Sequence, residues 1–147
     1  MRIILNEPKG ENYKKLIQLA FDKCNIFLFV KHSQLTYHQS FDILLEELKD
    51  DFICNKEESD WPGTFSVPTA TVYYFRTSVK SREIIKNITD SLFNWQAPYL
   101  PDDLCFLRNN KEWLVTTAHA QYCHILEENQ FEIEQLQKIN RLIEKMD

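Results

Sequence analysis

The segment "NIFLFVK", residues 25–31, constrains the fold more than any other stretch of this chain. Its central residues are apolar at every position, whereas a strand with one solvated face alternates apolar and polar side chains. Both faces of such a strand must be covered by other parts of the chain. We therefore expect residues 25–31 to form a central strand of a sheet, buried on both sides.

Helical patterns lie on either side of that strand. Apolar residues recur at helical spacing from Tyr13 to Cys24, preceded by Asn12 as a plausible N-cap. The same spacing recurs from Phe41 to Leu48 and from Ile84 to Trp95. A last helix is expected from about residue 129 to 145. Its apolar residues recur at nearly heptad spacing, which predicts either docking of the helix on the sheet or a dimer seam. The series consists of Ile133, Leu136, Ile139, Ile143 and Met146.

Strand patterns fill most of the remaining chain. Short or alternating apolar runs predict strands in "RIIL", "DFICNKEE" and "TATVYYFRT", and the dipeptide Pro62-Gly63 supplies a turn between the last two. A hairpin is expected in "LCFLRNNKEWLVTTAH", with Asn109-Asn110 at its turn because asparagine tolerates positive φ. The order predicts one α+β domain over residues 1–147, with a mainly antiparallel or mixed sheet of about five to seven strands and about four helices.

Composition excludes several classes of protein. With two glycines in 147 residues, the chain has no Gly-rich phosphate loop. The longest apolar run is far shorter than the roughly 20 residues of a membrane helix, and the N-terminus does not resemble a signal peptide, so we expect a cytoplasmic protein that is not bound to membranes. The four cysteines match no zinc or redox spacing, which predicts reduced thiols, no metal and no cofactor.

Negative charge is concentrated in one segment. Residues 41–60 hold eight Asp and Glu residues and two lysines, a net charge of −6, whereas the whole chain carries −5. Such a surface repels nucleic acid and attracts a basic protein partner, although a merely solvated helix face and edge strand would show the same composition. Two aromatic residues in Pro-containing turns are hard to assign to a core. The candidate binding residues are therefore Glu46, Glu47, Glu57, Glu58, Trp61 and Tyr99.

The stretch around the hairpin offers a second candidate site. Asp102 and Asp103 precede one strand, and His119 is expected at the end of the other. Histidine serves as acid, base or ligand near neutral pH, so His119 and Asp103 are candidate catalytic residues in a pocket with Trp113 and Thr117. Against this, adjacent carboxylates in a strand point to opposite faces, and an aspartate after a proline often caps a turn.

Three segments, "SDWPGT", "ATVYYF" and "NWQAPYLPDDLCFLRNNKEWLVTTAHA", together resemble a group of small soluble proteins of spore-forming bacteria that are often labelled "stage III sporulation protein AH". The sporulation protein of that name is a membrane-anchored ring component, and this chain shows no membrane segment. The resemblance implies no catalytic residues. In size, charge and architecture the chain also resembles small acidic immunity or inhibitor proteins.

These observations leave two hypotheses. The first is a non-enzymatic binding protein, in its most concrete form an inhibitor or immunity protein, that engages a basic protein partner as a monomer or as a homodimer through its last helix. The alternative is a small-molecule-binding protein or hydrolase with a pocket near His119 and Asp103. The sequence has no nucleophile elbow, metal set or phosphate loop, and this favours the first hypothesis.

Overall fold

A computed structural model describes residues 2–126, 130–139 and 143–146 of the chain. In this part of the chain, eight strands form a single sheet in the order β3-β4-β2-β5-β6-β7-β1-β8. The strands are β1 (Arg2–Leu5), β2 (Ile26–His32), β3 (Phe52–Trp61), β4 (Thr64–Arg76), β5 (Asp102–Arg108), β6 (Lys111–Thr117), β7 (Tyr122–Leu126) and β8 (Ile143–Met146). All neighbouring strands pair antiparallel, which confirms the α+β class.

Among the described residues, four α-helices connect or flank the strands: α1 (Glu11–Lys23), α2 (Ser40–Glu47), α3 (Val79–Ile88) and α4 (Gln130–Lys138). Gly10, with φ of 62°, precedes α1, so the predicted cap Asn12 lies one residue inside the first turn. Ser78 caps α3 by accepting a hydrogen bond from the Ser81 N–H. Within the described residues, no helix has both the length and the apolar character that crossing a bilayer requires.

The sheet is buried on both faces around β2, as the sequence predicts. Phe27 and Phe29 belong to the larger core beneath the helices, whereas Leu28 and Val30 belong to a smaller core with Trp61. Because side chains alternate along a strand, the two cores lie on opposite faces of the sheet. The tip of the β3–β4 hairpin, rather than a helix, contributes to the second face.

Gly63 at the tip of that hairpin closes against the sheet. Its φ of 83° suits glycine, and a Cβ at this position would stand 2.7 Å from Cγ1 of Val115. The predicted turn at Pro62-Gly63 is therefore confirmed, and its glycine is required both by the backbone conformation and by the close approach.

Two sequence-based expectations about helices are wrong. The third helix ends at Ile88 rather than near Trp95, and Leu92 lies in a separate 3-10 turn where it is still buried. The last helix ends at Lys138, and residues 143–146 instead pair with β1 as strand β8. Ile143 and Met146 thus do not continue a helical seam, and a homodimer through the last helix stays a prediction. With β7 and β8, the sheet in the described part of the chain has eight strands, one more than the expected five to seven.

Candidate functional site

The first strand residues after the Pro98–Pro101 loop form a β-bulge. Leu28 of β2 pairs with Cys105 of β5, and Val30 of β2 pairs with Asp102 of β5. Three residue steps along β5 therefore lie opposite two steps along β2. Asp103 takes up the extra residue with a left-handed φ of 58°. Regular alternation, which led us to expect Asp102 and Asp103 on opposite faces, does not hold at a bulge. Both side chains are buried.

Asp102 binds two parts of the chain that lie far from it in sequence. Its Oδ2 accepts a hydrogen bond from the Tyr37 hydroxyl, and its Oδ1 accepts one from the Ala97 N–H at 3.3 Å. The Tyr37 hydroxyl in turn accepts a hydrogen bond from the His32 N–H at 3.0 Å. Asp102 therefore joins the end of β2, the loop after it and the loop before β5.

Asp103 holds the connection between β6 and β7. Its Oδ1 accepts a hydrogen bond from the Ala118 N–H at 3.0 Å, and Ala118 begins the 3-10 turn that carries His119. His119 thus follows β6 rather than ending it, and its side chain is exposed. Oδ2 of Asp103 is buried without a hydrogen-bond partner in the described structure. A buried acceptor left without a partner costs about 1–3 kcal/mol.

The electrostatics of the two carboxyls differ from those of surface aspartates. Burial raises the pKa of Asp102, and the hydrogen bond from Tyr37 opposes this rise. Burial also raises the pKa of Asp103, the Ala118 N–H lowers it, and the neighbouring Asp102 charge raises it again. Carboxyls with raised pKa values in a cleft are candidates for ligand binding or proton transfer.

Asp102 and His119 meet in a cavity of about 440 Å³, which we call the carboxylate pocket. Its lining is His32, Gln34, Leu35, Gln96, Ala97, Asp102 and His119. The predicted proximity of His119 to the aspartates is therefore found, but it is Asp102 rather than Asp103 that lines the cavity. Trp113 and Thr117, which we also expected there, are not part of its lining.

Trp61 contacts His32, one of the residues that line this pocket. It is only 4% exposed, so the expectation of an exposed Trp61 anchor is wrong. Its ring meets the imidazole of His32 edge-on, with the ring centres 5.5 Å apart. Trp61 consequently contributes to the position of His32 and not to a binding surface.

A second concave surface adjoins the carboxylate pocket through Gln96 and Ala97. It consists of three cavities of about 580, 510 and 420 Å³ that share lining residues, and we call it the apolar groove. Among its lining residues are Ile43, Ile88, Pro98 and Tyr99, with Glu47 at one end. Tyr99 is 66% exposed, as the sequence led us to expect.

Local hydrogen bonds fix the shape of this groove. The Ser40 hydroxyl donates to the Tyr99 carbonyl at 2.6 Å, and the His38 N–H donates to the Pro98 carbonyl at 2.7 Å. The rings of His38 and Tyr99 lie 5.5 Å apart. The start of α2 and the loop at Pro98 are thereby held together, and Tyr99 is presented to solvent from a fixed backbone.

The acidic candidates divide into two groups. Glu46 and Glu47 are exposed on α2, where Glu46 also pairs with Lys49 at 2.7 Å. Glu57 and Glu58 lie on the edge strand β3 and line none of the four cavities. Glu57 accepts a hydrogen bond from Thr71, and Glu58 accepts one from Tyr74 at 2.7 Å.

Three of the four cysteine side chains are buried. These are Cys24, Cys105 and Cys123, whereas Cys54 is half-buried. Burial raises the pKa of Cys24 to about 12. Among the described residues, no group of three or more His, Cys, Asp or Glu side chains is placed to hold a metal ion.

Sequence reasoning missed Tyr37, Gln96 and the role of Asp102. The only available signals were that His32 and Tyr37 belong to the polar loop "HSQLTYHQS" and that Asp102 adjoins Asp103. Comparison of the chain with protein-family models, with curated proteins and with solved structures finds no match. The resemblance to proteins labelled "stage III sporulation protein AH" therefore stays a prediction.

Proposed function

We propose that this chain is a non-enzymatic binding protein that engages a basic protein partner along the apolar groove, most concretely as a cytoplasmic inhibitor or immunity protein. The observation that carries the proposal is a continuous concave surface with exposed apolar side chains, in which no lining residue that the structure describes is lysine or arginine. The sporulation-type resemblance adds no activity to this proposal.

Several large apolar side chains of the groove are exposed to solvent. Ile43 is 54% exposed, and Ile88 and Tyr99 are also exposed beside it. Exposed apolar patches with a polar rim are typical of protein interaction sites, and tyrosine is a frequent anchor because its large ring loses little conformational entropy. Burying these side chains under a partner would remove their apolar surface from water.

The charge of the groove favours a basic partner. Glu47 lines one end, Asp102 lies in the adjoining pocket at the other, and among the described residues neither lysine nor arginine lines any of the four cavities. Complementary charge at the rim of an interface chiefly raises the association rate. Glu47 lines the groove and Glu46 is its exposed neighbour, which also pairs with Lys49, whereas Glu57 and Glu58 bind hydroxyl groups of β4.

Site-specific photo-crosslinking in the native host tests the proposal. A benzophenone amino acid replaces Ile43 or Tyr99 in the groove, and Val79, which is 67% exposed on α3 but outside the groove, provides the matched control. We expect one discrete protein adduct from both groove positions and none from Val79. The same adduct from all three positions, or no adduct from the groove positions, would contradict the proposal.

The rate of association tests the contribution of charge once the crosslinked partner is purified. We expect the Glu46→Gln/Glu47→Gln variant to associate more slowly than wild type, most visibly at low salt, where the Debye length reaches about 30 Å. The Glu57→Gln/Glu58→Gln variant changes the net charge equally and serves as the control. Equal effects of the two double variants would show that only the overall charge matters.

A further inference from the structure

We propose that the carboxylate pocket receives the guanidinium group of an arginine side chain from the partner. The inference rests on the proposed function, because it names the chemistry of the residue that anchors the basic partner beside the apolar groove. It stands on three observations: the composition of the pocket lining, the free hydrogen-bonding capacity of the lining, and the continuity of the pocket with the groove.

The lining is rich in hydrogen-bond acceptors and carries negative charge. Asp102 is one of its lining residues although it is only 4% exposed, Asp103 is buried next in sequence, and no lysine or arginine is among the described lining residues. An anionic ligand would be repelled by these carboxylates, and among the described lining residues only the imidazoles of His32 and His119 could offset that repulsion. A cationic group would be attracted instead, and in a partly desolvated cleft this attraction is stronger than at an open surface.

Acceptor capacity remains after the internal hydrogen bonds are made. A carboxylate has about four acceptor positions, and Asp102 uses two of them for Tyr37 and Ala97. The side-chain amide nitrogen of Gln96 donates to the Phe93 carbonyl at 2.8 Å, so its Oε1 is the group that Gln96 can offer to a ligand. These oxygens are hydrogen-bond acceptors that require donors.

A guanidinium group fits these acceptors better than an ammonium group. It is planar, it presents several N–H donors in a fixed fork, and it can contact a carboxylate and a second acceptor at once. Its flat faces also stack on aromatic rings, and His32 and His119 both line the pocket. An ammonium group makes point contacts only and does not stack.

The pocket is continuous with the surface on which the partner is proposed to lie. Gln96 and Ala97 line both the carboxylate pocket and the largest cavity of the apolar groove. A segment of a partner that covers Tyr99 can therefore direct a long side chain into the pocket. Arginine has the length and the charge for this position.

Binding of a small probe to the isolated, full-length protein tests the inference without the partner. N-acetyl-arginine-methylamide is titrated while the amide and imidazole NMR signals are followed, and the matching citrulline derivative, which has the same shape but no charge, is the control. We expect saturable shifts centred on His32 and His119 and at least about tenfold weaker binding of the citrulline derivative. Equal binding of both probes, or no saturable shift up to about 50 mM, would overturn the inference.

Two variants connect the probe to the pocket. Asp102→Asn removes the charge and His119→Ala removes an exposed part of the wall, so the second variant stays informative if the first is misfolded. We expect each to weaken binding of the arginine probe at least about threefold, and Glu112→Gln, an exposed acid on β6 outside both the pocket and the groove, to leave it unchanged. Unchanged binding in His119→Ala would overturn the inference.

The outcome for the pocket can be separated from the outcome for the groove. If the arginine probe does not bind but crosslinks at Ile43 and Tyr99 persist, only the inference about arginine fails. If the probe binds as expected but the groove positions give no adduct, the proposed function fails, and the pocket is instead a site for a free guanidino compound. The inference about the partner's arginine is then overturned as well.

Discussion

Replacing Tyr37 by phenylalanine tests the bonding that builds the carboxylate pocket. The Tyr37 hydroxyl donates to Asp102 and accepts from the His32 N–H at 3.0 Å, so the substitution removes two hydrogen bonds while it keeps the ring. Hydrogen bonds to charged groups contribute about 1.5–3 kcal/mol to stability. We expect Tyr37→Phe to lower the free energy of unfolding by about 2–3 kcal/mol at neutral pH.

The loss should depend on pH with a definite sign. Burial raises the pKa of Asp102 above its ordinary value, so Asp102 contributes stability in acid that is lost as the pH rises through its folded-state pKa. The bond from Tyr37 opposes that rise in pKa, and its removal raises the pKa further. The difference in stability between wild type and Tyr37→Phe is therefore larger at neutral pH than in acid, where a neutral carboxyl accepts a weaker hydrogen bond.

Urea unfolding followed by tryptophan fluorescence measures this difference, because all three tryptophans are buried. The variant and wild type are compared at neutral pH and at one acidic pH at which wild type is still folded. Tyr99→Phe is the control, since Tyr99 is exposed and its substitution should change stability by less than about 0.5 kcal/mol. A loss in Tyr37→Phe that is the same at both pH values, or larger in acid, would refute the reasoning.

Three further substitutions or modifications test the core and the turns. Trp113→Ala should lower the free energy of unfolding by about 3–5 kcal/mol, because Trp113 is buried in the larger core. A loss below about 1 kcal/mol, together with a wild-type emission spectrum typical of an exposed indole, would contradict this packing. Gly63→Ala should cost about 1–3 kcal/mol through its left-handed φ and its approach to Val115, and the same substitution should cost less in a Val115→Ala background in the same urea assay. In the native protein a thiol reagent should react first with Cys54, and this reaction should give a fast phase that Cys54→Ser removes. A fast phase that persists in Cys54→Ser would show that one of the buried thiols is accessible to the reagent.

Most of the helices, strands and turns could be predicted from local patterns in the sequence. The uninterrupted apolar run of β2 required coverage on both faces, and the Asn109-Asn110 turn has the positive φ values, 52° and 67°, that asparagine tolerates. The strand β8 was not predictable in this way, because Ile143 and Met146 continue the apolar spacing of the preceding helix. Pairing with β1 depends on contacts between the two ends of the chain, which local spacing does not contain.

The candidate site was predictable only in part. His119 was expected near the aspartates, and the Ala118 N–H bond to Asp103 places it there. Asp102 was not expected to line the pocket, because the bulge in β5 depends on its register against β2 and leaves no signature in composition. Trp61 was expected at the surface, but folding of the β3–β4 hairpin tip over the sheet buries it.

The affinity of the crosslinked partner for a matched pair of variants tests the central claim most directly. Tyr99→Ser removes an exposed anchor from the apolar groove, and Val79→Ser removes a similarly exposed apolar side chain outside it. If the groove is the binding surface, Tyr99→Ser should raise the dissociation constant at least about tenfold, which is the usual effect of removing a tyrosine anchor. Val79→Ser should leave the dissociation constant within about twofold of wild type. Equal dissociation constants for Tyr99→Ser and wild type would contradict the account.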